Sequence, residues 1–177
     1  MTRIRKCSLM RILASLILTF TLCSCQYENK FDLNKDLYQF SEKMENGDTL
    51  KIKTDLSQCT FLAFEEYTFI KQNDSLYVEK YSEEGSGRKQ TLPQILYKIE
   101  ADDPLSFENY FKYLKKSDTI KEKSNWPYVS ITYKKQQKFF YKTDLRDSFE
   151  KMDSLQPVRK NIYPKDTFLH MDPPPSL

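Results

Sequence analysis

The chain has 177 residues, 39% hydrophobic, 14% aromatic and 30% charged, with 28 basic residues against 25 acidic and a net charge of +3. That length suits one domain with a real core, and a content of only three glycines and one histidine narrows the chemistry open to it. Gly47, Gly85 and Gly87 do not space into a phosphate-cradling loop, the pattern G-x-S-x-G is absent, and His170 stands just ahead of Pro173-Pro174-Pro175, away from any rigid element that could hold a catalytic base.

The chain opens with Arg3, Arg5, Lys6 and Arg11, has no acid before Glu28, and runs into the apolar stretch Ile12 to Leu22. This is the order of a secretory signal. At about 1.5 Å per helical residue the stretch spans roughly 16 Å, against about 30 Å for a bilayer core, so it is too short for a permanent span. Leu22-Cys23-Ser24-Cys25 ends the run and resembles the lipobox of bacterial lipoproteins, in which a small residue precedes an invariant cysteine. The resemblance implies cleavage before Cys25 and attachment of diacylglycerol and palmitate-type chains to it. Two or three such chains hold a protein on a membrane where one does so only marginally. The style of the remainder, poor in glycine and rich in Lys, Tyr and Asn, loosely resembles small lipoproteins of Bacteroidota. In that group acids just after the cysteine mark surface export. Gln26-Tyr27-Glu28-Asn29-Lys30 supplies one, which implies an outer-membrane protein facing the periplasm.

All four cations of the leader leave with it, so the remainder carries 24 basic against 25 acidic residues, a net −1. Such a balance gives no electrostatic reason to expect nucleic acid as a partner. The expected organisation is a signal peptide over 1–24, a tether over 25–31, a single domain over 32–163 and an extended proline-rich tail over 164–177. Cys59, within Gln58-Cys59-Thr60-Phe61-Leu62, would be the one thiol left and reads as a buried hydrophobe rather than a redox group.

In the domain, Leu33, Leu37, Phe40 and Met44 recur at helical spacing before Asn46-Gly47, which predicts an amphipathic helix with a stop. Thr49 to Thr54 alternates as a half-buried strand. A first hairpin is expected from Phe61 to Lys71 and Leu76 to Tyr81 around Gln72-Asn73-Asp74-Ser75. Glu83 to Gln90 reads as a mobile loop. A helix is expected to start at Asp103-Pro104 with the stripe Phe107, Tyr110, Phe111 and Leu114. The second hairpin pairs Tyr128 to Tyr133 with Lys138 to Lys142 around Lys134-Lys135-Gln136-Gln137. A last helix starts near Thr143 or Asp144, presents Leu145, Phe149 and Met152, and stops at Pro157. The order predicts an α+β fold, an antiparallel sheet from two hairpins plus one strand with helices on one face, and allows two ββα units.

Asp32-x-Asn34-x-Asp36 has the opening of a calcium loop, but Leu37 stands where the turn needs glycine and Lys43 where a bidentate glutamate belongs, so these acids are expected to cap the first helix. The neighbours Glu65-Glu66, Glu83-Glu84 and Asp102-Asp103 point apart or into water and do not form an acid/base pair. Lysines gather at Lys112, Lys115, Lys116, Lys121 and Lys123, and again around the second hairpin with tyrosines among them. These observations predict no catalytic residues, no metal and no cofactor. They predict a membrane-anchored binding module for an envelope protein or glycan, with contact residues Tyr133, Lys134, Lys135, Lys138 and Tyr141. One form is an immunity or inhibitor protein against a periplasm-directed toxin or hydrolase; the alternative is a glycan-capture or outer-membrane assembly accessory.

Overall fold

The computed structural model describes residues 31–57, 62–85, 87–117 and 127–166. Cys25, Cys59, Lys121, Lys123, His170 and the triple proline lie outside them. Helix α1 (Leu33–Asp36), a 3₁₀ turn (Leu37–Gln39) and helix α2 (Phe40–Lys43) replace the one helix expected, because Gln39 departs from helical backbone at φ −149°, ψ 32°. The predicted stripe nevertheless holds: Leu33, Leu37, Phe40 and Met44 are all buried. Asp32 caps α1 by accepting from the Asn34 N–H at 2.9 Å, and its own N–H donates to Asp36 at 2.7 Å. Gly47, at φ +90°, turns the chain into the sheet.

Six antiparallel strands follow: β1 (Thr49–Asp55), β2 (Ala63–Gln72), β3 (Ser75–Glu84), β4 (Lys89–Leu96), β5 (Pro127–Tyr133) and β6 (Gln136–Tyr141), in the spatial order β4-β3-β2-β1-β5-β6. The sheet therefore joins its two predicted hairpins through β1, which pairs Leu50 with Phe69 on one side and with Tyr133 on the other. Strand β4 is an addition. The stretch 83–90 was expected to be a loop, but Glu83 pairs with Lys89 and Ser82 with Gln90, so the two strands leave only a short connection between them. The first repeat-like unit is consequently three strands and a helix, where the second is two strands and a helix.

Helix α3 (Phe107–Ser117) starts after Pro104, not on it. Ser106 is its cap, its hydroxyl accepting from the Asn109 N–H at 3.1 Å, while Asp103 holds the preceding turn by accepting from the Leu105 N–H at 2.7 Å. The predicted stripe Phe107, Tyr110, Phe111 and Leu114 is buried. Helix α4 (Leu145–Ile162) is capped by Asp144 as expected but runs through Pro157. Its buried positions are Ser148, Lys151, Leu155, Val158, Arg159 and Ile162, whereas Leu145 is half exposed and Phe149 and Met152 are only partly covered. The proline is exposed. The carbonyl of Asp153, deprived of its usual N–H, therefore lies on the watered side of the helix, where the loss is small.

All the described helices lie on one face of the sheet. The core between them is largely aromatic, with Phe69 meeting Phe40, Tyr97 and Phe107 edge-on at centroid distances of 4.9, 5.1 and 5.6 Å. Phe31, assigned above to the tether, belongs to this core and packs on Tyr133 at 4.5 Å. Asp166, assigned to the tail, has a side chain only 4% exposed and an ion pair with Lys80. The packed domain thus reaches at least from Phe31 to Asp166.

Candidate binding surface

The second hairpin turns through Lys134-Lys135 alone, so Gln136 and Gln137 belong to β6 and not to the turn. Lys134 adopts φ +52°, a backbone that lysine disfavours. Its ammonium explains how the turn is kept: Nζ lies 2.8 Å from Oδ1 of Asp48 and 4.9 Å from the centre of the Tyr133 ring. Burial would raise the Asp48 pKa, but hydrogen bonds from Lys134 and the Glu45 N–H outweigh it and hold the carboxyl below its usual value. The same hydrogen bond to Asp48 lifts Lys134 above its usual value.

The predicted contact residues are thereby divided. Tyr133 is a core residue under Phe31, and Lys134 is neutralised by Asp48. Lys138 turns toward the helices, its Nζ over the rings of Tyr38 at 5.5 Å and Phe140 at 5.9 Å and 3.5 Å from the Asn34 side-chain oxygen. Lys135 stands exposed at the tip, and Tyr141 lies on the opposite face of the sheet. Of the other lysine cluster, Lys115 sits over Tyr38 at 4.9 Å.

That opposite face, free of described helices, carries Tyr141 together with aromatic residues that the sequence alone did not single out as contacts. Strand alternation and register place Phe64 and Ile70 of β2, Tyr77 and Tyr81 of β3, and Phe139 and Tyr141 of β6 on it. Tyr81 is 36% exposed and Phe139 38%, and the rings of Phe139 and Tyr141 lie 6.3 Å apart. Charges are interleaved: Lys51 meets Glu66 at 3.1 Å and Lys53 lies 4.6 Å above Phe64. The signal was available in the alternation of Gln137, Phe139 and Tyr141 against Gln136, Lys138 and Phe140. Using it needed the length of the turn.

Two other places hold ionisable groups. Under the helices, Glu65 faces Lys80 at 2.7 Å and Arg159 at 2.7 Å, accepts from the Tyr67 hydroxyl at 3.0 Å, and Lys80 also pairs with Asp166. Glu65, Lys80 and Arg159 are all buried, so this network is closed to a substrate and fastens α4 to β2 and β3. At the other end, an open cleft of about 780 Å³ lies between α2, the first hairpin turn and the segment after β4, lined by acids and by Lys71, Lys98 and Lys112. Tyr97 lines it and reaches toward Glu108 at 3.4 Å, whose other oxygen accepts from the Ser41 N–H at 3.1 Å. Burial raises the Glu108 pKa. The cleft mixes both signs of charge without converging them on one point, and the buried Glu108 carboxyl behind Tyr97 is spent on the backbone of α2. Among the described residues no cluster of His, Cys, Asp or Glu is arranged to hold a metal ion. The chain matches no family model, no curated protein and no solved structure.

Proposed function

We propose that the chain is a lipid-anchored envelope protein that binds another protein, and that the contact surface is the open face of the sheet together with the second hairpin. The observation carrying this reading is the half-exposed aromatic set of Tyr77, Tyr81, Phe139 and Tyr141 on the face that no described helix covers. The aromatics stand in two groups, Tyr77 and Tyr81 on β3 and Phe139 and Tyr141 on β6, with the charges of β1 and β2 between them, and exposed aromatic side chains of this kind are enriched in protein interfaces. The lipobox-like Leu22-Cys23-Ser24-Cys25 supports the anchor, and a small domain on a lipid suits an inhibitor or immunity protein that meets its target at the membrane.

Affinity purification of the tagged full chain from detergent-solubilised envelope tests the binding reading. A stoichiometric protein recovered with the wild type and lost with Tyr81→Ala plus Phe139→Ala supports it. Recovery of no stoichiometric protein under several growth conditions counts against it, and so does recovery unaffected by the double variant. The anchor is tested separately: Cys25→Ser is expected to leave uncleaved, unacylated precursor, and a variant that still matures and partitions into detergent defeats it.

A further inference from the structure

The two edges of the sheet differ in what they offer. On β4, Pro93 has no N–H to donate, the pairing with β3 is irregular between Val78 and Lys80, and the Tyr163 hydroxyl occupies the carbonyls of Val78 at 2.9 Å and Pro93 at 3.2 Å. Those are the devices by which an edge is closed to further pairing. Strand β6 contains neither proline nor glycine, and its register with β5 is unbroken from Tyr133↔Gln136 to Val129↔Phe140. Because the turn has two residues, Tyr133 and Gln136 form a hydrogen-bonded pair. The N–H and C=O of Gln136, Lys138 and Phe140 therefore point to β5, and those of Gln137 and Phe139, with the N–H of Tyr141, point away from the sheet. Among the described residues no strand meets them. The side chains of these same residues lie on the open face, so a strand laid along β6 would set every second residue beside Phe139 and Tyr141.

We propose that β6 receives an extended, acidic segment of the partner protein as a seventh strand. Charge selects this occupant over a second copy of the chain. From Tyr133 to Thr143 there are four lysines and no acid; Asp48 pairs Lys134 and Asp55 pairs Lys142 at 3.5 Å, which leaves Lys135 and Lys138 to set the charge of this edge. Two copies paired antiparallel through β6 about Phe139 would set Lys138 of one diagonally beside Lys138 of the other on the same face and bring no acid to the edge, which is unfavourable there. A segment bearing carboxylates meets Lys135, exposed at the tip, and Lys138 without that cost. Main-chain hydrogen bonds then supply affinity, and the alternate side chains supply selectivity.

The inference rests on the binding-module reading and names the mode of contact. Its test uses the full chain in detergent with a blocked heptapeptide of alternating Glu and Val, and the Lys-for-Glu version as control, read by amide hydrogen exchange. The acidic peptide is expected to slow exchange at Gln137, Phe139 and Tyr141 by about tenfold at saturation, as newly bonded amides do, and the basic one to leave it unchanged. Phe139→Pro removes an outward N–H without touching the β5 ladder and should abolish the effect. Lys135→Glu, which leaves the backbone alone, should weaken it several-fold. Equal protection by both peptides, protection elsewhere than β6, or none at all overturns the proposal. Protection of these amides that grows with protein concentration in the absence of peptide also overturns it, in favour of a second copy. Should affinity purification recover a partner that Phe139→Pro still binds, the edge is excluded while the binding-module reading stands.

Discussion

The two faces of the same six strands treat charge in opposite ways. On the inner face Glu65, Lys80, Arg159 and Asp166 are buried and each is held by an opposite charge; on the outer face Lys51 and Glu66 make an ion pair of similar length, with Lys51 about half exposed. Water screens the outer pair and lets either partner be lost cheaply. Nothing replaces a missing partner inside. The inner network thus ties the last helix to β2 and β3, whereas the outer charges stand open to solvent.

That contrast is broken most directly at Glu65. Glu65→Ala removes the carboxylate 2.7 Å from both Lys80 and Arg159, and it should cost about 3–5 kcal/mol, read as a lower urea midpoint with an unchanged slope. A loss below about 1 kcal/mol would place the network in contact with water. Glu108 sharpens the comparison in the other direction. Its pKa is raised by burial, so the folded state holds the proton more tightly than the unfolded one. Stability from this group is present below its unfolded pKa and is lost as pH rises through the folded value. Glu108→Gln should therefore gain stability at neutral pH and flatten that part of the profile, measured by denaturation at pH 4 and pH 7.

Lys134 is intermediate, because its ammonium is exposed but its carboxylate partner is not. Lys134→Ala should cost about 1 kcal/mol near neutrality. Asp48 has a lowered pKa, so its contribution is present above the usual aspartate value of 3.8 and is lost as pH falls through the folded one. The difference between variant and wild type should shrink in strong acid. The smallest effect belongs to Lys51→Ala on the open face, expected within about 0.5 kcal/mol, and a larger loss would mean that this face is less open than its exposures state.

What the sequence made legible follows the same division. The Asn73-Asp74 turn, with φ of +49° and +59°, is written in residues that accept a left-handed backbone, and the first hairpin is centred on it as expected, although Gln72 and Ser75 belong to the strands and not to the turn. The Lys134-Lys135 turn is imposed by Asp48, more than eighty residues away in the chain, and was read two residues too long. The α3 stripe is apolar and was found. The buried side of α4 carries Ser148, Lys151 and Arg159, which a hydrophobic pattern cannot register because their partners, such as Glu65 and Asp147, come from tertiary contacts or from the helix itself. Strand β4 escaped for the opposite reason, since a half-exposed edge strand containing Pro93 lacks both clean alternation and a continuous apolar run. Of the proposed contact surface, the lysines are visible by type, but which aromatics share a face depends on a register that no local signal fixes.

Helix α4 has a mechanical consequence. Two turns into it Lys151 donates to the carbonyl of Tyr141 on β6, and just past its end the Tyr163 hydroxyl is shared between the carbonyls of Val78 on β3 and Pro93 on β4. From Lys151 to Tyr163 the helix advances about 18 Å, and the two long side chains at these points supply the rest of the roughly 24 Å that six strands span from edge to edge. The helix is a strut pinned at both borders of the sheet. Opening either border strains the other through a rigid rod, so the outermost strands, which in an unbraced sheet would fray independently, are tied into one cooperative unit. A force or a bound segment applied at β6 is thus felt at β4, five strands away, without any change in the strands between.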